Sequence, residues 1–136
     1  KWVVRDDIQV VLVNGGTGFT RRDTTPEALM PLFDKAIDGY GELFRQLSLE
    51  SIGTSTIQSR AVGGVIDRTL VFAMPGSPRA CATAWDGILE AQLDARTRPC
   101  NFVAMVLPEA ERCASRQPRR GSATAATPAA REEAES

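Results

Sequence analysis

Two short apolar runs, each followed at once by a glycine-bearing loop and a Pro-marked helix start, constrain this chain more than any other feature. The first, residues 7–13 (DIQVVLV), is rich in β-branched residues and leads into NGGTGFTRRDTTPE at 14–27. The second, residues 69–74 (TLVFAM), leads into Pro75-Gly76-Ser77-Pro78. Nearly continuous apolar runs of this length suit buried strands of a parallel sheet. Two strand–loop–helix units predict an α/β fold. If the strands are parallel, both loops lie at the carboxyl edge of the sheet, where open α/β sheets bind ligands.

The helix starts are marked locally. Pro at the first helical position makes Thr25 the N-cap, whereas a capping box would pair Thr24 with Glu27; the Pro rule is preferred. The apolar spacing of Leu29, Met30, Leu32, Phe33 and Ile37 then predicts one helix as far as Ile37, broken by Asp38-Gly39. A second helix is predicted from Tyr40 to about Glu50, and a loop over 51–59. A short strand over 61–66 and a tight turn at Asp67-Arg68 precede the second apolar run. Ser77 is the predicted N-cap of a helix that buries Cys81, Ala84, Trp85, Ile88 and Leu89 and ends near Ala95. Phe44 and Trp85 sit at helical spacing that favours core. An ordered extension over 96–106 completes a domain of residues 1–107. Residues 108–136, dominated by Ala, Pro, Ser, Arg and Glu, bury too little to offset their ordering entropy and are expected to form a disordered tail.

Composition narrows the chemistry. The 136 residues contain no histidine, which excludes Ser-His-Asp hydrolysis, phosphohistidine transfer and histidine-bound zinc by these residues. A formal net charge of -1 gives no broad footprint for nucleic acid. No apolar stretch nears the length of a membrane span, and there is no secretory signal. Three cysteines at long spacings form neither a zinc pattern nor a disulfide framework, so a reducing cytoplasm is expected. Lys1 rather than Met opens the chain, with a strand soon after, which suggests a missing upstream segment.

What remains is chemistry by carboxylates, cations, backbone amides and an oxygen-held metal. The first loop offers bare backbone at Gly15, Gly16 and Gly18, hydroxyls at Thr17 and Thr20, and cations at Arg21 and Arg22. These suit a phosphorylated ligand, although neither the Walker nor the dinucleotide spacing is present. The loop equally fits a plain chain reversal. Asp23 fits either a helix-entry carboxylate or an oxygen ligand for the Mg2+ of a nucleotide.

A larger pattern lies over these local ones. GGTG, RDTTPE, GELFR, IGTSTIQSRAVGG, FAMPGSP and LDARTRPCNF occur in this order between residues 15 and 102. The set resembles the MoaB/MogA family of molybdenum cofactor biosynthesis, on its MoaB branch. The resemblance covers about residues 7–103; the family's usual N-terminal β-α portion, with a second acidic residue of the nucleotide site, is absent. It implies a three-layer α/β/α fold with a largely parallel sheet, assembled as homotrimers or homohexamers. It implies binding of molybdopterin, whose terminal phosphate active members adenylylate with Mg-ATP, releasing pyrophosphate. Carried over by motif, Asp23 is the essential carboxylate acting with the Mg-nucleotide. Gly15, Gly16, Thr17 and Gly18 are the ligand-cradling loop, Ser59 and Arg60 the pterin-side pair, and Pro75, Gly76 and Ser77 the second loop. Many adenylyltransferase members have Asn where this chain has Ser77. The alternative the resemblance allows is a non-catalytic molybdopterin-binding or assembly protein of the same fold.

Overall fold

A computed structural model describes residues 2–107. Four strands, β1 (Val10–Asn14), β2 (Lys35–Ala36), β3 (Val62–Ile66) and β4 (Thr69–Met74), form one sheet in the order β1-β4-β3-β2. The two apolar runs are parallel neighbours, with Val10 opposite Leu70 and Asn14 opposite Met74. The other two pairings are antiparallel, so the sheet is partly rather than largely parallel. The tight turn expected at Asp67-Arg68 explains this: Asp67, at φ 53°, closes a two-residue hairpin, and a hairpin joins only antiparallel strands.

Helical segments cover both faces. All six residues of β4 are buried. On one face Leu70 and Phe72 pack against Tyr40 and Phe44 of α2 (Asp38–Ile52), and against Ala84, Ile88 and Leu89. The Tyr40 and Phe72 rings are 4.9 Å apart at 60°, a tilted contact of the kind aromatic pairs favour. Phe102, in the predicted ordered extension, closes this core at 6.1 Å from Phe72. On the other face Val11, Val13 and Val71 border an apolar groove with Leu29 and Leu32. The tail predicted over 108–136 lies outside the described residues.

Several helix boundaries differ from expectation. The helix starting at Thr25 is only α1 (Thr25–Leu29), followed by a 3-10 turn at Met30–Leu32. Pro31 lies inside the expected helix, where it removes a backbone donor and crowds the carbonyl four residues back. The chain turns extended at Phe33, and Asp34 and Ile37 donate backbone N–H groups to Val65 and Gly63 of β3. Asp38-Gly39, expected to break a helix, begins α2 instead; a carboxylate in the first turn is favoured by the helix dipole. Residues 51–59, expected as a loop, end α2 and form a 3-10 turn at Gly53–Gln58. The helix after Ser77 is α3 (Pro78–Ala84), a wide π turn at Trp85–Leu89, and α4 (Glu90–Gln92). The wide turn shifts the helical phase, which keeps Ile88 and Leu89 inward and leaves Trp85 43% exposed rather than in the core. The last helix is α5 (Val103–Val106).

Two core positions give opposite predictions. The buried Tyr40 hydroxyl has no hydrogen-bond partner among the described residues, and burial pushes its phenol pKa up. Tyr40→Phe is therefore expected to stabilise the protein by about 1 kcal/mol. A methyl on Gly64 would lie 2.2–2.5 Å from the Phe33 ring, so Gly64→Ala should destabilise by about 1–3 kcal/mol. Urea unfolding midpoints of the full-length protein, read at constant m-value, check both.

Candidate functional site

The register of β1 and β4 fixes the site. Both strands end at the same sheet edge, so their loops start side by side, as the sequence predicted. Gly15 donates its backbone N–H to the Met74 carbonyl at 2.9 Å. A methyl on Gly76 would stand 3.3 Å from the Gly15 Cα. The antiparallel β3 enters the sheet at that edge, with Val62 opposite Ala73. Ser59, Arg60 and Ala61 therefore arrive beside both loops. Ser59 borders a cavity of about 120 Å3 together with Pro75 and Ser77.

The first loop is held by its own bonds. Gly15 and Gly16 have φ of 97° and 66°, a region that favours glycine. The Thr25 hydroxyl donates to the Gly15 carbonyl at 2.9 Å, and Thr25 N–H donates to Gly16 O at 3.0 Å. That use of Thr25 corrects the expected N-cap: the helix includes Thr25, and Thr24 at the cap position makes no side-chain capping bond. Ser77, by contrast, does cap α3, accepting from Ala80 N–H at 3.2 Å.

Asp23 sits inside the loop's hydrogen-bond system. Its Oδ2 accepts from the Thr20 hydroxyl at 2.6 Å and from Thr20 N–H at 2.9 Å. The Thr20 hydroxyl, backbone bonds from Thr20 and Gly18, and the Arg60 charge all hold its carboxyl below the usual carboxylate range. A methyl on Gly18 would lie 2.9 Å from Asp23 Oδ2, so any larger residue there would displace that carboxylate. Thr17 is 3% exposed, so its side chain belongs to the loop's interior. Arg21 and Arg22 are exposed and make no hydrogen bond or ion pair among the described residues.

Arg60 reaches this loop from 37–43 residues away. Its Nε donates to Gly18 O at 2.9 Å and Thr17 O at 3.2 Å, and its Nη2 donates to Asp23 O at 2.8 Å. Nη1 pairs with the Glu27 carboxylate; this bond holds Glu27 below its ordinary pKa. The guanidinium also lies over the Phe19 ring, 4.8 Å from its centroid. Glu27, which the sequence presented only as a capping-box candidate, and Phe19 were missed as site residues, since no local spacing links them to Arg60. Beyond the ion pair opens a cavity of about 490 Å3, bordered by Glu27, Ser59 and Arg60, with Phe33 and Ile57 among its apolar lining. Its size is that of a small-molecule pocket.

Residues 3–95 match the MoCF_biosynth family model, described as a "probable molybdopterin binding domain". The chain belongs to the MoaB/MogA family, on its MoaB branch. It is 65% identical over 101 residues to molybdenum cofactor biosynthesis protein B of Escherichia coli K12, covering 74% of this chain and 59% of that protein. The Bacillus cereus protein of the same name is 52% identical over 90 residues, covering 65% of this chain and 53% of the other. A crystal structure of molybdenum cofactor biosynthesis protein B superposes with a TM-score of 0.65 at 50% identity, over 68% of this chain and 58% of that one. The tungsten cofactor synthesizing protein MoaB of Pyrococcus furiosus gives 0.59 at 43% identity, over 62% and 54%. The chain thus spans little more than half the length of these relatives. Among the described residues, no helix of this MoaB-branch chain is long and apolar enough to cross a membrane.

The Thr20–Asp23 bonds set a pH dependence. A carboxylate whose folded pKa is depressed adds stability that is present above its unfolded pKa and is lost as pH falls through the folded pKa. Thr20→Val should raise the Asp23 pKa toward the ordinary carboxylate value and shrink this acid-labile part of the stability. NMR titration of the Asp23 carboxyl carbon in wild type and variant measures the shift.

Proposed function

We propose that the protein acts in molybdenum cofactor biosynthesis, binding molybdopterin and adenylylating its terminal phosphate with Mg-ATP. In this reaction an oxygen of the pterin phosphate attacks the α-phosphorus of ATP. A new P–O–P bond forms, the bond between the α-phosphorus and its bridging oxygen breaks, and pyrophosphate leaves with the electron pair. The attacking oxygen is already anionic at neutral pH, so no general base is needed, in keeping with a chain that contains no histidine. Catalysis then reduces to positioning and charge neutralisation.

The observation that carries the reading is the ionised Asp23 held against a glycine loop that touches a second loop at the carboxyl edge of the sheet. Gly15, Gly16, Thr17 and Gly18 would cradle the ligand on one side, and Ser59, Pro75, Gly76 and Ser77 would border it on the other. Asp23 would hold the magnesium of the Mg-nucleotide, and that ion would supply charge neutralisation at the phosphates. Mg2+ bound in this way keeps waters and needs only one or two carboxylates. Asp23 fits that requirement, and no group of three His, Cys, Asp or Glu side chains among the described residues forms a separate metal cage. The family resemblance further supports a homotrimer or homohexamer, and the three widely spaced cysteines support a cytoplasmic location.

A second reading has its own observation. Ser77 stands where many adenylyltransferase members have Asn, and its hydroxyl is used to cap α3. This favours a non-catalytic molybdopterin-binding or assembly protein of the same fold. Incubating the full-length protein with molybdopterin and Mg-ATP separates the two. Release of pyrophosphate, lowered about a hundredfold or more by Asp23→Asn, is expected for the enzyme. Pterin binding without pyrophosphate release selects the second reading, and an unchanged rate in Asp23→Asn removes Asp23 from the mechanism.

A further inference from the structure

We infer that Arg60, together with Glu27, is the clasp that shapes the 15–23 loop and fixes Asp23, making it a positioning residue. The inference rests on the reading that this loop is a wall of the ligand crevice, and it gives Arg60 a role beyond the pterin-side place implied by the family resemblance.

The donor count carries the argument. A guanidinium has five N–H donors in a fixed planar fork. Here the Nε–H is shared between the Thr17 and Gly18 carbonyls, Nη2 is on the Asp23 carbonyl, and Nη1 is on Glu27. The Phe19 ring covers one face. Even the backbone N–H of Arg60 donates to Thr17 O at 3.2 Å. These bonds engage three of the five N–H groups, and all but the Glu27 partner are backbone carbonyls of the one loop.

The acceptors lie on both sides of the loop's tip. Thr17 and Gly18 precede Phe19–Arg22, Asp23 follows them, and one planar group ties the two ends together. Asp23 is thereby held twice, its carbonyl by Arg60 and its carboxylate by Thr20. Thr20 lies inside the same loop, so among the described residues it is the Arg60 bond that ties Asp23 to a residue outside it. The Arg60 side chain is 23% exposed and Glu27 57%, so the clasp is open to solvent mainly at its ion pair. Lysine keeps the charge but lacks the fork, and cannot reach three carbonyls and a carboxylate at once.

Hydrogen exchange of the ligand-free full-length protein tests the clasp without reference to any activity. In Arg60→Lys and Arg60→Ala, the Thr20, Asp23 and Thr25 amides should exchange about tenfold or more faster than in wild type, while the β4 amides stay unchanged. Glu27→Gln leaves Arg60 on the loop carbonyls, and should give a smaller acceleration confined to the loop. In steady-state adenylylation, Arg60→Lys should lower kcat about tenfold or more, with the KM for molybdopterin within about twofold of wild type. Unchanged loop exchange in both Arg60 variants, or a raised KM that lysine restores, would overturn the inference. If the loop amides accelerate as expected but wild-type protein releases no pyrophosphate, the clasp stands and the proposed adenylylation falls.

Discussion

The parallel ladder between β1 and β4 is the constraint on which the rest of the structure depends. Every residue of β4 is buried, so both its edges and both its faces need partners. A parallel partner cannot be supplied by a hairpin and requires a long crossover. Here the crossover runs from Asn14 to Thr69 and contains α1, β2, α2 and β3. Its first act on leaving β1 is the glycine loop, and the next residues after β4 are Pro75-Gly76-Ser77. Because the two strands end in register, the Gly15 N–H bonds the last carbonyl of β4. The contact between the two loops is thus a consequence of strand pairing.

The antiparallel hairpin then does something a fully parallel sheet could not. A parallel β3 would enter the sheet at the opposite edge, taking Ser59 and Arg60 away from the loops. Reversing β3 delivers them to the edge where β1 and β4 end. The departure from a largely parallel sheet is therefore what completes the candidate site. The Ile37 N–H bond to Gly63 holds the start of α2 against β3, and the Asp34 N–H bond to Val65 sets the neighbouring Phe33 ring over Gly64.

What the sequence made legible was mostly local. The two strands, the Ser77 cap, the Asp67 turn and the meeting of the two loops follow from signals within a few residues. The overlong first helix followed from a 3.6-residue pattern in which Phe33 and Ile37 happen to continue the phase of Leu29. In the structure they face inward from extended chain, where Pro31 had already ended the helix. Trp85 shows the reverse: its spacing is right for a regular helix, and one π turn changes the phase. The Arg60 contacts were not legible from spacing, since they join positions 33–43 apart through a sheet order not written in any single segment. The family resemblance could point to Arg60 as part of the site, but not to the groups its guanidinium holds.

The electrostatics of the loop follow from the same placement. An arginine beneath such a loop would ordinarily count as attractive charge, but Arg60 is paired with Glu27 and three of its N–H groups are used internally. Its field at a ligand is correspondingly reduced, while the geometry it imposes is not. The exposed Arg21 and Arg22 at the tip remain, offset in part by the ionised Asp23 beside them. Two kinds of arginine thus divide the work: those at the tip supply a solvent-screened attraction that can guide an anion, and the one behind supplies shape. A loop whose shape is fixed before a ligand arrives loses little entropy on binding. For the proposed adenylylation, which uses no histidine of this chain and would depend on placement, the second contribution is the more consequential.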